Sequence, residues 1–187
     1  MPEIKTISPR ASFLRNEDEL SIVITASADR TKVNAIGAIL LLWLAGGAYV
    51  IFSMAGIEDQ KTKLMMGIWI AFWLFFSYVM AKAFRWQQSG REILKVRDGK
   101  LFFKRDVGGR GWVHAYNLRQ IRDLKILAGK TPTWIQKIGG DYWSTDADSI
   151  GFQYQDQEVV IGYNLTEHES AQILKLLSQE IESNKSQ

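Results

Sequence analysis

Two long stretches without a single charge constrain this chain more than any other feature. Between Lys32 and Glu58 it reads VNAIGAILLLWLAGGAYVIFSMAGI, from Val33 to Ile57. From Leu64 to Ala81 it reads LMMGIWIAFWLFFSYVMA and keeps that character through Ala83 and Phe84. A bilayer core about 30 Å thick takes roughly 20 helical residues to cross. Both stretches reach that length, the second with Lys82 snorkelling toward the headgroups. A helix in the core of a soluble protein normally keeps one polar face, and neither stretch has one. Two adjacent soluble core helices are the competing reading. The pattern predicts a transmembrane hairpin within 33–86, with spans 33–57 and 64–84 joined by Glu58–Lys63.

The first span is expected to act as an uncleaved anchor and not as a cleavable leader. Ten charges lie in the 32 residues before it, and its apolar run exceeds a typical signal core. Basic residues near the span ends set orientation. Arg30, Lys32, Lys82, Arg85, Arg91, Lys95 and Arg97 flank the outer ends, against Lys61 and Lys63 in the connection. Both termini are therefore expected on the cytoplasmic side. Ala45-Gly46-Gly47-Ala48 and the pair Gly67 and Ala71 place small residues where helices approach closely. Either the two spans pack on each other there, or a second membrane subunit does. Asn34 and Ser77 are the obvious polar groups in the spans, and neither marks an ion or proton path.

Outside the hairpin the apolar period shortens to two, the signature of strands. In 1–32, Leu20, Ile22 and Ile24 alternate with polar neighbours and predict one strand, placed to pair with the C-terminal region. Arg91–Arg97 and Lys100–Arg105 flank Asp98-Gly99, a two-residue hairpin turn. A third strand is expected around Trp112–Tyr116 and a fourth segment from Leu118 through Ile126. Another hairpin spans Ile150–Tyr154 and Glu158–Tyr163. Thr166-Glu167-His168-Glu169 has the form of a capping box. Ala171, Ile173, Leu174, Leu177 and Ile181 then put one apolar stripe on a helix of about four turns. The fold class is α+β: about six antiparallel strands in a curled sheet, covered by a C-terminal helix.

This order resembles the bacterial pleckstrin-homology-like domains that are attached to transmembrane hairpins. The resemblance rests on Gly90-Arg91-Glu92-x-Leu94-x-Val96, Asp98-Gly99, Tyr116-x-Leu118-x-x-Ile121, and Gly162-Tyr163-Asn164-Leu165-Thr166-x-x-Glu169. It covers 87–187 and the hairpin before it. It implies a small, mostly antiparallel barrel capped by the helix, used for binding or scaffolding at the bacterial inner membrane. No catalytic or ligand-binding residue set carries over from it, and the segment Ala128–Ser149 is longer than a simple strand connection.

Charge is uneven along this region. Between Arg91 and Lys130, 11 basic residues face four acidic ones; from Thr131 onward, three face nine. Arg91, Lys95, Arg97, Lys100, Lys104, Arg105 and Arg110 form a candidate edge for anionic lipid headgroups. The plainer reading is a solvated sheet face balanced by acidic residues. Trp134, Tyr142 and Trp143 are candidate interface aromatics, suited to a bilayer surface or a protein partner, or to folding back as a lid. The expected partners are the lipid bilayer and a membrane protein or a second copy of the chain. Nucleic acid is not expected, given the tether and the acidic second half.

The remaining signals are weak. Gly108-Gly109-Arg110-Gly111 has the glycine density of a phosphate loop, but no helix pattern opens after it and no Walker lysine follows. Asp141, Asp146 and Asp148 lack the Gly and terminal Glu of a calcium loop. The chain has no cysteine, which excludes disulfides and thiolate chemistry. Its two histidines, His114 and His168, form no triad or His-x-x-x-His pair. The expectation is a non-enzyme without cofactor or metal. Its role is either a membrane-anchored binding scaffold or an accessory subunit recognised through the hairpin.

Overall fold

The computed structural model describes residues 3–16, 19–27, 29–127 and 148–185. Its elements run β1 (Glu3–Thr6), β2 (Ala11–Arg15), β3 (Leu20–Thr25), α1 (Arg30–Ser53), α2 (Gln60–Ser89), β4 (Gly90–Arg97), β5 (Lys100–Val107), β6 (Val113–Asn117), β7 (Arg122–Leu127), β8 (Asp148–Tyr154), β9 (Gln157–Leu165) and α3 (Glu167–Lys185). A 3-10 turn, Met54–Gly56, ends α1, and another, Leu118–Gln120, precedes β7.

Both apolar stretches are helical; α1 begins three residues before its apolar run and gives way to a 3-10 turn before Ile57, while α2 extends past its run at both ends. Asp29 caps α1 by accepting from the amides of Thr31 and Lys32, and Asp59 caps α2 by accepting from Thr62. A side-chain oxygen in that position satisfies an amide that lacks an intrahelical partner, so the helices start before the charges stop. The helices are antiparallel and pack through few residues. Gly47 lies so close to Trp73 that a Cβ there would sit 1.9 Å from the indole. Trp43 Nε1 donates to Ser77 Oγ at 3.0 Å, and Trp73 Nε1 donates to the Trp43 carbonyl at 3.2 Å. Leu40 and Gly47 of α1 and Trp73 and Ser77 of α2 are buried, while large apolar side chains from Ile39 to Tyr78 are exposed on both helices. Only about a tenth of the apolar window of each helix is buried inside the chain (11% in both).

The strands form two antiparallel sheets rather than a closed barrel. One runs β1-β2-β3-β4-β5-β6 in chain order, and the other β7-β8-β9. The predicted closure fails because the chain leaves β6 through the 3-10 turn, and β7 pairs with β8 instead of continuing the first sheet. The N-terminal segment carries three strands where the alternation reveals one. In β1 and β2 the alternation is blurred, and their pairing depends on the turn at Ile7–Arg10. β3 pairs with β4 from Leu20 opposite Val96 to Thr25 opposite Arg91. The helical hairpin is thus inserted between two neighbouring strands.

One apolar core fills the space between the sheets and α3. Ile22, Leu94, Leu101, Leu118, Ile150, Phe152, Ile161, Ile173 and Leu177 are among its members. Burying each such side chain contributes about 1.5–3 kcal/mol. On α3 the buried stripe runs through Ile173, Leu177 and Ile181, with Leu174 beside it. Ala171 is exposed; Glu169 and Ser170 take the inward positions of the first turn.

The two adjacent glycines of α1 provide a paired test. Gly47→Ile forces the Trp73 indole away and is expected to cost about 1–3 kcal/mol, the usual range for overpacking. Gly46→Ile meets nothing within 4 Å and is expected to leave the thermal midpoint in detergent within a degree or two of the parent. Differential scanning fluorimetry of both variants reads the difference.

Candidate functional site

Alternation along β4 and β5 decides where the basic residues point. Glu92, Leu94 and Val96 face the core, and Arg91, Lys95 and Arg97 face away. Register pairs Arg91 with Asp106, Lys95 with Phe102 and Arg97 with Lys100. The outer face therefore collects Arg91, Lys95, Arg97, Lys100 and Lys104. Arg105 lies on the opposite face, opposite Glu92. Arg110 is in the turn after β5.

Most of this positive charge is matched within the domain. Asp106 is fully buried on the outer face, with Arg91 Nε 2.6 Å from one oxygen and Lys104 Nζ 2.8 Å from the other. Hydrogen bonds from Lys104 and Arg91 hold its carboxyl below the ordinary carboxylate value. Lys95 pairs with Glu19 at 3.0 Å, Arg97 with Asp98 at 3.1 Å, and Arg105 with Glu92 at 2.9 Å. Lys100 and Arg110 make no ion pair among the described residues. Trp134, Tyr142 and Trp143 lie outside the described residues, as do Asp141 and Asp146.

Both helices leave the first sheet from one end. The Ala26 amide donates to the Gly90 carbonyl at 2.9 Å, tying the two exits together. The Gly90 amide donates back to the Trp86 carbonyl as α2 ends. A Cβ at Gly90 would lie 2.4 Å from that oxygen and 2.6 Å from the Trp86 ring. The helix therefore runs into β4 with no linker. The turn between β5 and β6 lies at this same end, since Val107 pairs with Gly90. Gly108 and Gly109 both adopt positive φ, and Val107 and Arg110 exchange backbone hydrogen bonds across them. This is a two-residue hairpin turn with the primed twist, not a phosphate loop. Just beyond it Trp112 is 87% exposed and Val113 58%. Sequence reasoning missed this tryptophan because strand alternation absorbed it into the third strand.

The burial and distant partners of two carboxylates, Glu92 and Glu169, escaped the sequence reading. Glu92 accepts from the Gly162 amide at 2.7 Å and from Arg105, bridging the two sheets. Gly162 has φ +66 and donates from a bulged stretch of β9. A narrow recess at the hairpin junction, lined by Ile24, Thr25, Trp86, Gln87, Glu92 and Asn164, opens beside this carboxylate, whose oxygens are already engaged. Glu169 does two jobs. It forms the predicted capping box, accepting from the Thr166 amide at 2.9 Å while its own amide donates to Thr166 Oγ1 at 3.3 Å. It also accepts from Ser8 and Arg10, which tie the first turn of the chain to the last helix. Asp148 accepts from Ser170 Oγ, a structural contact. His114 is exposed on the edge strand β6 and stacks near Tyr116, and His168 is exposed beside Gln172. Among the described residues no cluster of His, Asp or Glu could hold a metal ion.

No known family, curated protein or solved structure matches this chain.

Glu169 provides a pH-dependent test. Burial pushes its carboxyl upward, but the Ser8 hydroxyl, the Thr166 amide and Arg10 outweigh this and lower it from its ordinary value of 4.5. A lowered folded pKa adds stability that is complete above the unfolded value and lost as pH falls through the folded value. Glu169→Gln is expected to destabilise the chain by about 1–3 kcal/mol at pH 7, the range for charge-assisted hydrogen bonds. That gap should shrink steadily below about pH 4.5. Urea unfolding in detergent across pH 3–7 measures it.

Proposed function

We propose that this protein is a non-catalytic membrane-anchored scaffold whose helical hairpin spans the bilayer and holds a pleckstrin-homology-like module at the cytoplasmic face. The observation that carries this reading is the hairpin's surface. Large apolar side chains are exposed along both α1 and α2, and both helices are long and apolar enough to cross a membrane. In water that surface would drive aggregation; in hydrocarbon it has its solvent. Length agrees. Gly37 packs on Phe84, so Gly37–Ser53 with the 3-10 turn to Gly56 runs beside Leu64–Phe84 for about 30 Å, at ~1.5 Å per α-helical and ~2 Å per 3-10 residue. That is about the thickness of the bilayer core.

Two antiparallel sheets closed by one C-terminal helix support the domain assignment, with the barrel opened as described. Direct entry of α2 into β4 supports a scaffold held in one orientation rather than a domain on a tether. The basic flank of the outer ends favours both termini on the cytoplasmic side of a bacterial inner membrane. A second reading, an accessory subunit recognised through the hairpin, has its own support. Gly46 and Gly67 face open space, so each helix keeps one glycine that the intramolecular packing leaves free.

The absence of native cysteine makes the topology directly testable. In intact cells, Thr62→Cys in the short connection is expected to react with an impermeant maleimide, and Ser178→Cys on α3 only after permeabilisation. The chain is expected to stay in the pellet after alkaline carbonate extraction. Release by carbonate, or labelling of Ser178→Cys from outside, would overturn the reading.

A further inference from the structure

We infer that the turn between β5 and β6, with Trp112 and Arg110, is a second membrane contact that seats the sheet domain in the lipid headgroups. The inference rests on the membrane-spanning hairpin proposed above and adds the surface by which the domain itself meets the bilayer.

Position is the first argument. With the hydrocarbon boundary near Gly37 and Phe84, Arg85–Ser89 carry α2 only about 7 Å further at ~1.5 Å per residue. A headgroup layer adds about 5–8 Å on each side of the core. The end of the sheet at Gly90 therefore stands within that layer. Val107, which pairs with Gly90, is at the same height, and Gly108–Trp112 continue from it. The absence of a linker between Trp86 and Gly90 keeps the turn there.

Chemistry is the second. Tryptophan favours the headgroup level because its ring is part apolar and part hydrogen-bonding. Trp112 and Val113 are strongly exposed together, an apolar pair with no covering partner among the described residues. Arg110 beside them pairs with no carboxylate there, and Arg30, Lys32, Lys82 and Arg85 surround the helix exits. The acids near this end are committed: Asp29 to the first amides of α1 and to Lys32, Asp106 to Arg91 and Lys104, Glu92 to Arg105 and Gly162. An anionic headgroup meets uncompensated positive charge at Arg110. Arg97 and Lys100, by contrast, lie at the far end of the same strands. Six residues of strand, about 20 Å at ~3.3 Å each, separate Arg97 from Arg91. Those two residues are out of reach of the same bilayer.

The test uses the full chain in vesicles of phosphatidylcholine and phosphatidylglycerol, with an environment-sensitive NBD label on one introduced cysteine. Val113→Cys reports on the turn while keeping Trp112, Lys100→Cys reports on the far end, and Leu42→Cys reports on the hairpin. A headgroup nitroxide lipid is expected to quench the Val113→Cys label several-fold more than the Lys100→Cys label. Adding Trp112→Ser to Val113→Cys is expected to reduce that quenching by at least half. Equal quenching at Val113→Cys and Lys100→Cys, or quenching that ignores Trp112→Ser, overturns the inference. So does a Val113→Cys label shielded from water but untouched by nitroxide lipid, which would indicate a protein contact. A deep-chain nitroxide quenching Leu42→Cys distinguishes these failures from failure of the hairpin reading, since that label must be quenched if the hairpin spans the bilayer at all.

Discussion

The antiparallel pairing of β3 with β4 is the constraint on which the rest of this structure depends. Those strands are adjacent in the sheet but separated in the chain by the whole helical hairpin. Their register, Leu20 against Val96 through Thr25 against Arg91, brings both helix ends to one place. Without it, α1 and α2 would join the sheet as a tether. With it, the hairpin is a rigid outgrowth of one sheet end, and the hydrogen bond from Ala26 to Gly90 closes its base. Packing of Trp43, Gly47, Trp73 and Ser77 further along keeps the two helices together. The indole N–H groups of Trp43 and Trp73 and the Ser77 hydroxyl all find partners within the helix pair.

Charge in the sheet domain follows a second rule: the deepest carboxylates among the described residues are all engaged, and two of them, Glu92 and Glu169, join distant parts of the chain. Glu92 links the two sheets, Asp106 gathers two cations on the outer face, and Glu169 joins the first turn to the last helix. A buried carboxylate without partners would be costly, so these contacts fix relative positions as well as lowering energy. Their consequence for function is subtraction. Once Arg91, Lys95, Arg97, Lys104 and Arg105 are matched, the candidate edge keeps only Arg110 unpaired at the helix exits and Lys100 unpaired at the far end, among the described residues.

What was legible in the sequence was local. The apolar runs, the Asp98-Gly99 turn and the capping box at Thr166 and Glu169 each signal through neighbouring residues, and each has its expected form. What was hidden depended on partners far along the chain. β1 and β2 have weak alternation of their own and exist through pairing with β3. Ala171 fits the helical period but falls outside the buried stripe, because Glu169 turns inward to meet Ser8 and Arg10. Barrel closure depends on which strand β7 chooses, and no local pattern encodes that choice. Trp112 read as a strand residue; its exposure beside the helix exits follows only from the register of β5 with β4. For the basic edge, periodicity gave the faces correctly but not the carboxylates that occupy them.

Amide hydrogen exchange on the intact chain in lipid nanodiscs tests the central claim most directly. If the hairpin crosses the bilayer, amides from Gly37 to Ile57 and from Leu64 to Phe84 resist exchange for hours, beyond the most protected strands of either sheet. Exchange of those helices at the pace of solvent-exposed segments, in nanodiscs that retain the protein, would contradict the account.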